Sequence, residues 1–460
     1  MDSPARARTL NAFEAHYRVP SGLIDIVAQG GLSPEPAYFN FQGATCYGRS
    51  VALPPTSHDG GPIDLSNHVR CDNGVVRLPF DLTDVVENAH LERYQARPLL
   101  SEGGLLRSMY YLVRPALPVH VRKHLQRLWL RDWSDISFPR WPVDFTVETL
   151  MEQSMSLAVK ASGLSRVPFI WFWPEGAPSC AMMTHDVESK AGIDFCDQLM
   201  DVDESFGIKA SFQLVPEVRY DVTESFFEHV RRRGFEANIH DLNHDGQLFQ
   251  DHKRFRERAI RINAYGKGFK SRGFRSGAMY RRQEWFDALE FSYDMSVPNV
   301  AHLEPQRGGC CTVTPYFVGK ILELPLTTIQ DYSLFHILCD YSTEMWRKQI
   351  ALITARHGLI SFITHPDYLI EDRARHVYME LLSHLKQLRD AGTVWTALPG
   401  EVDRWWRNRS AMTLVPVGRG DWRIEGPDSD RARIAYATLE NDRLVYRVAH
   451  ASEEVEYSPC

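Results

Sequence analysis

The chain has 460 residues, 44% of them apolar and 24% charged, an ordinary balance for a soluble globular protein long enough for two or three domains. Its formal net charge of -7, with no basic run longer than Arg231-Arg232-Arg233, argues against a nucleic-acid partner. No apolar run approaches a membrane span, no secretory leader follows Met1-Asp2-Ser3-Pro4, and the eight cysteines lack CxxC spacing, so they read as reduced thiols of a cytoplasmic protein and not as a zinc site.

Residues 1–165 have an irregular texture, punctuated by Pro, Gly and aromatic side chains through Ser50 and by a loop over 54–62. Helical patterns follow at 84–94, 119–133 and 145–162, and none carries catalytic spacing. From Pro168 the texture changes. Short β-like runs at 180–184, 210–215, 235–239, 273–275, 293–297, 321–326, 359–364 and 394–397 alternate with amphipathic helical stretches. No Gly-x-Gly-x-x-Gly follows the first of these strands, so a dinucleotide fold is not favoured. The alternation over 166–409 predicts an α/β fold, an irregular (β/α) TIM-like barrel, with residues 300–320 as the main interruption. After Ser410, alternating runs at 413–417, 421–424, 432–438 and 444–448, with a turn at Glu440-Asn441-Asp442, predict a small β-rich appendage over 410–460.

The chemistry gathers at strand ends. Met182-Met183-Thr184-His185-Asp186-Val187-Glu188 reads as an apolar strand that delivers two carboxylates where it stops, and the C-terminal lip of an α/β sheet is concave and rigid. His240 and His244 are four apart at the end of another strand, so a turn or a first helical winding lets both imidazoles reach one ion. A third ligand must come from elsewhere, and Asp186 or Glu188 is the natural donor. Two histidines and one carboxylate leave positions open for water and substrate, as a catalytic metal requires. Arg275 and His365-Pro366-Asp367 also follow strand ends, whereas His185 reads as a buried histidine and not as a ligand.

Asp186-Val187-Glu188, His240-x-x-x-His244, Phe274-Arg275-Ser276-Gly277, Tyr293-Asp294 and Leu359 to Pro366 fall in the order and approximate spacing of the polysaccharide deacetylase motifs. Over about residues 178–400 the chain resembles a divergent member of that NodB-type group, carbohydrate esterase family 4. The resemblance implies Asp186 as general base, Glu188, His240 and His244 as ligands of a divalent metal, expected to be Zn²⁺, Arg275 orienting the base, Asp294 as a further catalytic residue, and His365 as general acid. The roles of Asp186 and Glu188 could be exchanged. Four positions depart from the family pattern: Val187 stands where a second acid is usual, Asp241 where a hydroxyl is, and Ser276 and Gly277 where two prolines are.

A metal would polarise an amide carbonyl and activate water, Asp186 would take the proton, and His365 would protonate the leaving nitrogen. A backbone N–H near Tyr280 or Phe212 is expected to help hold the oxyanion. The expected substrate is an N-acetylated sugar or related small amide or glycan. The alternatives are a barrel amidohydrolase acting on a ureide or imide, and a non-catalytic barrel that binds carbohydrate or a partner protein.

Overall fold

The computed structural model describes residues 11–52, 61–72, 74–95, 128, 130–418, 420–449 and 454–457. The helical pattern at 119–133 and the loop at 54–62 lie mostly outside them. The chain divides into two units: residues 1–89, 145–176 and 405–460, and residues 90–144 and 177–404. No helix among the described residues is long and apolar enough to cross a membrane.

After a short helix, Ala12–Tyr17, the first unit carries β1 (Asp25–Ala28), β2 (Ala37–Phe41), β3 (Ala44–Gly48), β4 (Ile63–Asp64), β5 (Arg70–Asp72) and β6 (Val75–Leu78), which form two small sheets in the orders β1-β6-β5 and β3-β2-β4. Helix Thr146–Ser162 buries Leu150, Met151, Ser154, Met155 and Ala158, the one-face spacing visible in the sequence, and ends at Gly163 in the left-handed conformation (φ 66°). It leads into β7 (Val167–Ile170).

The second unit carries β8 (Ser179–Val187), β9 (Ala210–Leu214), β10 (Glu236–His240), β11 (Gly273–Arg275), β12 (Tyr293–Asp294), β13 (Tyr316–Val318), β14 (Ile321–Glu323), β15 (Leu359–Thr364) and β16 (Val394–Thr396). They make one sheet in the order β13-β14-β12-β11-β10-β9-β8-β15, with β16 paired to the start of β8. All pairings are parallel except β13 with β14. Every residue of β8, β9 and β15 is buried, which is why these strands read as short runs rather than as alternations. Helices Lys190–Ser205, Glu224–Arg232, His252–Gly268, Glu344–Thr354 and Asp372–Asp390 connect them. Ser189, Thr223 and Asp251 cap the first three of these with side-chain oxygens.

The α/β alternation is as expected, but a closed TIM-type barrel is not what forms: no ladder among the described residues joins β14 or β13 to β15. The strand expected over 321–326 stops at Glu323, whose carboxylate accepts the Val297 N–H. Thr327 Oγ1 donates to Leu359 O and Thr328 Oγ1 to Ser361 O across the opening, both at 2.7 Å, beside a backbone bond from Thr328 N–H to Ser361 O at 3.3 Å.

The last strands are β17 (Thr413–Pro416), β18 (Trp422–Glu425), β19 (Ile434–Glu440), β20 (Arg443–Ala449) and β21 (Glu454–Tyr457). Asn441 and Asp442 take positive φ (50° and 64°) in the hairpin turn, as the sequence suggested. Where the sequence marks three successive segments, 1–165, 166–409 and 410–460, contacts group 1–89 and 145–176 with 405–460 and leave 90–144 in the unit of the large sheet. The reason is an edge: β19 pairs with β7, giving the sheet β21-β20-β19-β7, and Tyr446 Oη meets Tyr17 Oη at 2.6 Å.

Candidate active site

Parallel strands end on one side of a sheet, so β8, β10, β11 and β15 bring residues far apart in sequence to one lip. Glu188 follows β8, His240 closes β10, Arg275 closes β11 beside it, and His365 follows β15. Donor atoms of Glu188, His240 and His244 all lie within 4.8 Å of one another. His244 Nε2 is 2.9 Å and His240 Nε2 3.6 Å from Glu188 Oε1.

This set fits a divalent ion. Both Nε2 atoms are buried and neither makes an aligned hydrogen bond, so the chemistry of the set suits a cation. His240 Nδ1 lies 3.2 Å from the Arg275 carbonyl, and an N–H donated there leaves Nε2 free to face Glu188. Histidine and carboxylate donors suit zinc.

His244 reaches the site on a loop, not a helix. Asp241 and His244 adopt positive φ (56° and 53°), while Asp241 N–H donates to Arg275 O at 2.7 Å and Arg219 Nη2 to His244 O at 2.7 Å. The departures in this region compensate one another. Asp241 Oδ1 accepts the Leu242 N–H at 2.7 Å, and a Cβ at Gly277 would fall 2.5 Å from Asp241 Oδ2 and 3.0 Å from His244 Cδ2. Gly277 is what lets the histidine loop lie so close to β11.

Asp186 stands beside the triad. Its Oδ1 accepts from Arg275 Nη1 at 2.7 Å, and Oδ2 lies 3.7 Å from His240 Nε2. Arg275 is fully buried and is aimed by Thr184 Oγ1 (2.7 Å) and Met295 O (3.0 Å). Burial pushes the Asp186 carboxyl upward, but Arg275, then His240 and His365, outweigh it and hold the group below the usual carboxylate range. Burial likewise opposes charge on Glu188, and His244, His240 and His365 bring it well below its ordinary value. The same carboxylates raise His240 against the effect of burial.

His365 Nε2 lies 3.5 Å from Glu188 Oε1. Asp331 grips the other side of the residue: Oδ1 is 2.7 Å from His365 Nδ1, and Oδ2 accepts the His365 backbone N–H at 2.7 Å. Burial would lower the imidazole pKa, but Asp331 and then Glu188 raise it well above 6.5. Sequence reasoning missed Asp331, which sits in Thr327-Thr328-Ile329-Gln330-Asp331, a stretch without periodicity or motif.

Six of the seven expected residues thus share one lip. Asp294 does not touch the reacting groups. Its carboxylate takes Ser296 N–H and Oγ–H, both at 2.9 Å, and shares a buried hydrogen bond with Glu323, which the sequence reading also passed over. Burial raises both carboxyls; Asp294 raises Glu323 further, whereas the hydrogen bond with Glu323 lowers Asp294, and Arg275 pulls both down. His185 is buried with Nε2 3.0 Å from Asp203 and Nδ1 2.8 Å from Thr364 Oγ1, a structural histidine as expected. The expected oxyanion donors are both occupied: Tyr280 N–H donates to Gly277 O, and Phe212 lies inside a strand paired on both sides.

No protein-family model and no curated sequence matches the chain. Among solved structures it is similar to a Mycobacterium smegmatis protein assigned as a polysaccharide deacetylase, at 16% identity and a TM-score of 0.42, covering 52% of this chain and 93% of that one. It is also similar to Puue allantoinase (10%, 0.41, covering 51% and 92%) and to a carbohydrate esterase family 4 pseudoenzyme from Bacillus anthracis (13%, 0.29, covering 49% and 65%). Likenesses this distant assign no residue a role.

Proposed function

We propose that the chain is a divergent NodB-type polysaccharide deacetylase, a metal-dependent hydrolase that removes an acyl group from the nitrogen of an acetylated sugar or carbohydrate-like amide. One observation carries the reading: the donor atoms of Glu188, His240 and His244 converge within 4.8 Å, flanked by Asp186 paired to Arg275 and by His365 paired to Asp331. Glu188, His240 and His244 would hold the ion. When bound, a divalent metal supplies Lewis-acid polarisation of the amide carbonyl and a water acidified toward neutrality.

The rest falls to the chain's own groups. Asp186, ionised by Arg275, has Oδ2 turned to the donor set and takes the proton from the attacking water. Arg275, locked by Thr184 and Met295, keeps that carboxylate aimed. His365 stands beside Glu188 with Nδ1 bound to Asp331, so its Nε2–H is the proton available to the departing nitrogen. Base and acid thus both border the donor set, Asp186 at His240 and His365 at Glu188.

The test is acetate release from N-acetylated sugars by zinc-loaded protein. Asp186→Asn and His365→Ala are each expected to reduce the rate by about 10²-fold or more while leaving zinc bound. Failure of the metal-loaded protein to hydrolyse any amide would contradict the reading.

A further inference from the structure

The two histidines of the donor set are not equivalent. His240 Nδ1 faces the Arg275 carbonyl, an acceptor, so its proton sits there and Nε2 keeps a lone pair. His244 faces a guanidinium instead. Arg219 Nη2 lies 3.4 Å from His244 Nδ1 and donates to His244 O at 2.7 Å, while Arg219 Nε donates to Asn243 O at 3.3 Å. A guanidinium carries only donors, so the Nδ1 that meets it must accept. In a neutral imidazole this puts the proton on Nε2, the nitrogen 2.9 Å from Glu188 Oε1 and the one a metal ion needs bare.

The backbone before Arg219 is held in a strained conformation. Val218 has a φ of 73°, unfavourable for a β-branched residue, and its side chain is 86% exposed, so no burial offsets the strain. Arg219 N–H donates to Glu217 O at 2.9 Å, closing a three-residue turn of the rare positive-φ form. Both ends of that turn are anchored. Glu217 N–H donates to Leu242 O at 3.1 Å, within the histidine loop, and Tyr220 Oη accepts the Val215 N–H at 2.9 Å. The strained turn therefore fixes where the guanidinium starts, and the carbonyls of Asn243 and His244 fix where it ends.

We infer that Arg219 is a positioning residue that holds His244 in the tautomer opposed to metal binding, so that the ion is bound more weakly than Glu188, His240 and His244 would bind it without Arg219. For His244 to ligate, its proton moves from Nε2 to Nδ1 by exchange with water, with none gained or lost, and the new Nδ1–H meets a donor. The contact between Arg219 and Nδ1 is then lost. His240 needs no such move.

This rests on the metal site of the proposed hydrolase, and its test reads metal affinity instead of activity. Full-length metal-free protein is titrated with Zn²⁺ in competition with a chromophoric chelator. Arg219→Gln keeps N–H donors for the loop carbonyls and brings an acceptor for Nδ1–H; it is expected to bind Zn²⁺ about tenfold more tightly than wild type. Arg219→Lys, again a cation with donors only, is expected to show no such gain. A residue that merely braced the loop would give the opposite sign, since its loss would loosen His244. Affinity in Arg219→Gln equal to or below that of wild type would thus overturn the inference and leave the metal site standing. The tautomer itself is read without touching Arg219, from ¹⁵N-histidine spectra of the metal-free wild type, with His244 identified by the signals lost in His244→Asn. Nε2 protonated and Nδ1 bare is the expected result, and the reverse would overturn the inference equally. No Zn²⁺ uptake by wild type or Arg219→Gln would overturn the hydrolase reading and this inference together.

Discussion

Asp331→Asn isolates what the buried acid does for His365. The amide keeps the shape and an oxygen for the His365 backbone N–H, but the charge beside Nδ1 is lost. Charge-assisted hydrogen bonds are worth about 1.5–3 kcal/mol, so the bond at 2.7 Å to Nδ1 is a large part of what keeps the imidazole protonated against burial. Without it the alkaline limb of kcat/KM moves to lower pH, and in mildly alkaline buffer the rate is expected to fall about 10²-fold, with a smaller loss in acid. Stability follows the same sign. A histidine with a raised folded-state pKa stabilises fully below its unfolded value, about 6.5, and that contribution fades as pH rises through the folded-state value. Wild type should therefore exceed the variant in stability most near about pH 6 and converge with it in alkali. The assay is acetate release by zinc-loaded protein from about pH 5 to about pH 10, with urea denaturation at both ends. An equal loss at every pH, with the limb unmoved, would show that Asp331 only holds the loop.

Glu323→Gln should leave stability nearly unchanged in mild acid and make the protein more stable than wild type in alkali. Burial raises the Glu323 and Asp294 carboxyls, so the wild-type pair stabilises below the ordinary carboxylate range and loses that contribution as pH climbs through the raised values; urea denaturation at two pH values reads this. His185→Ala should lower thermal stability by about 1–3 kcal/mol, because it unties Asp203 and Thr364, yet leave zinc stoichiometry intact. Loss of zinc there would make His185 a ligand and contradict the structural role.

Strands buried on both faces were legible because nothing but an apolar run can fill them: Gly273–Arg275 and Leu359–Thr364 match their expected bounds, and each delivers its polar residue at the end. The donor triad was legible for the same reason, since Glu188 and His240 sit where runs stop. Asp331 was not, because it lies beyond the ladder in a segment tied by Thr327 and Thr328 side chains, which leave no period in the sequence. Glu323 carried a signal that was passed over, an acid inside Ile321-Leu322-Glu323-Leu324, which only a buried partner such as Asp294 makes tolerable. The positive φ of Asp241 and His244 and the close approach at Gly277 belong to three-dimensional packing, so the loop's departures from the family pattern looked independent until seen together. The pairing of β19 with β7 spans most of the chain, and no local pattern announces so distant a partner.

The measurement that bears most directly on the central claim is the metal content of purified full-length protein, wild type beside His240→Ala/His244→Ala. The account predicts near-stoichiometric zinc or another transition metal in wild type and its loss in the double variant, with the fold retained. Wild-type protein that carries no metal and takes up none from added Zn²⁺ would contradict it.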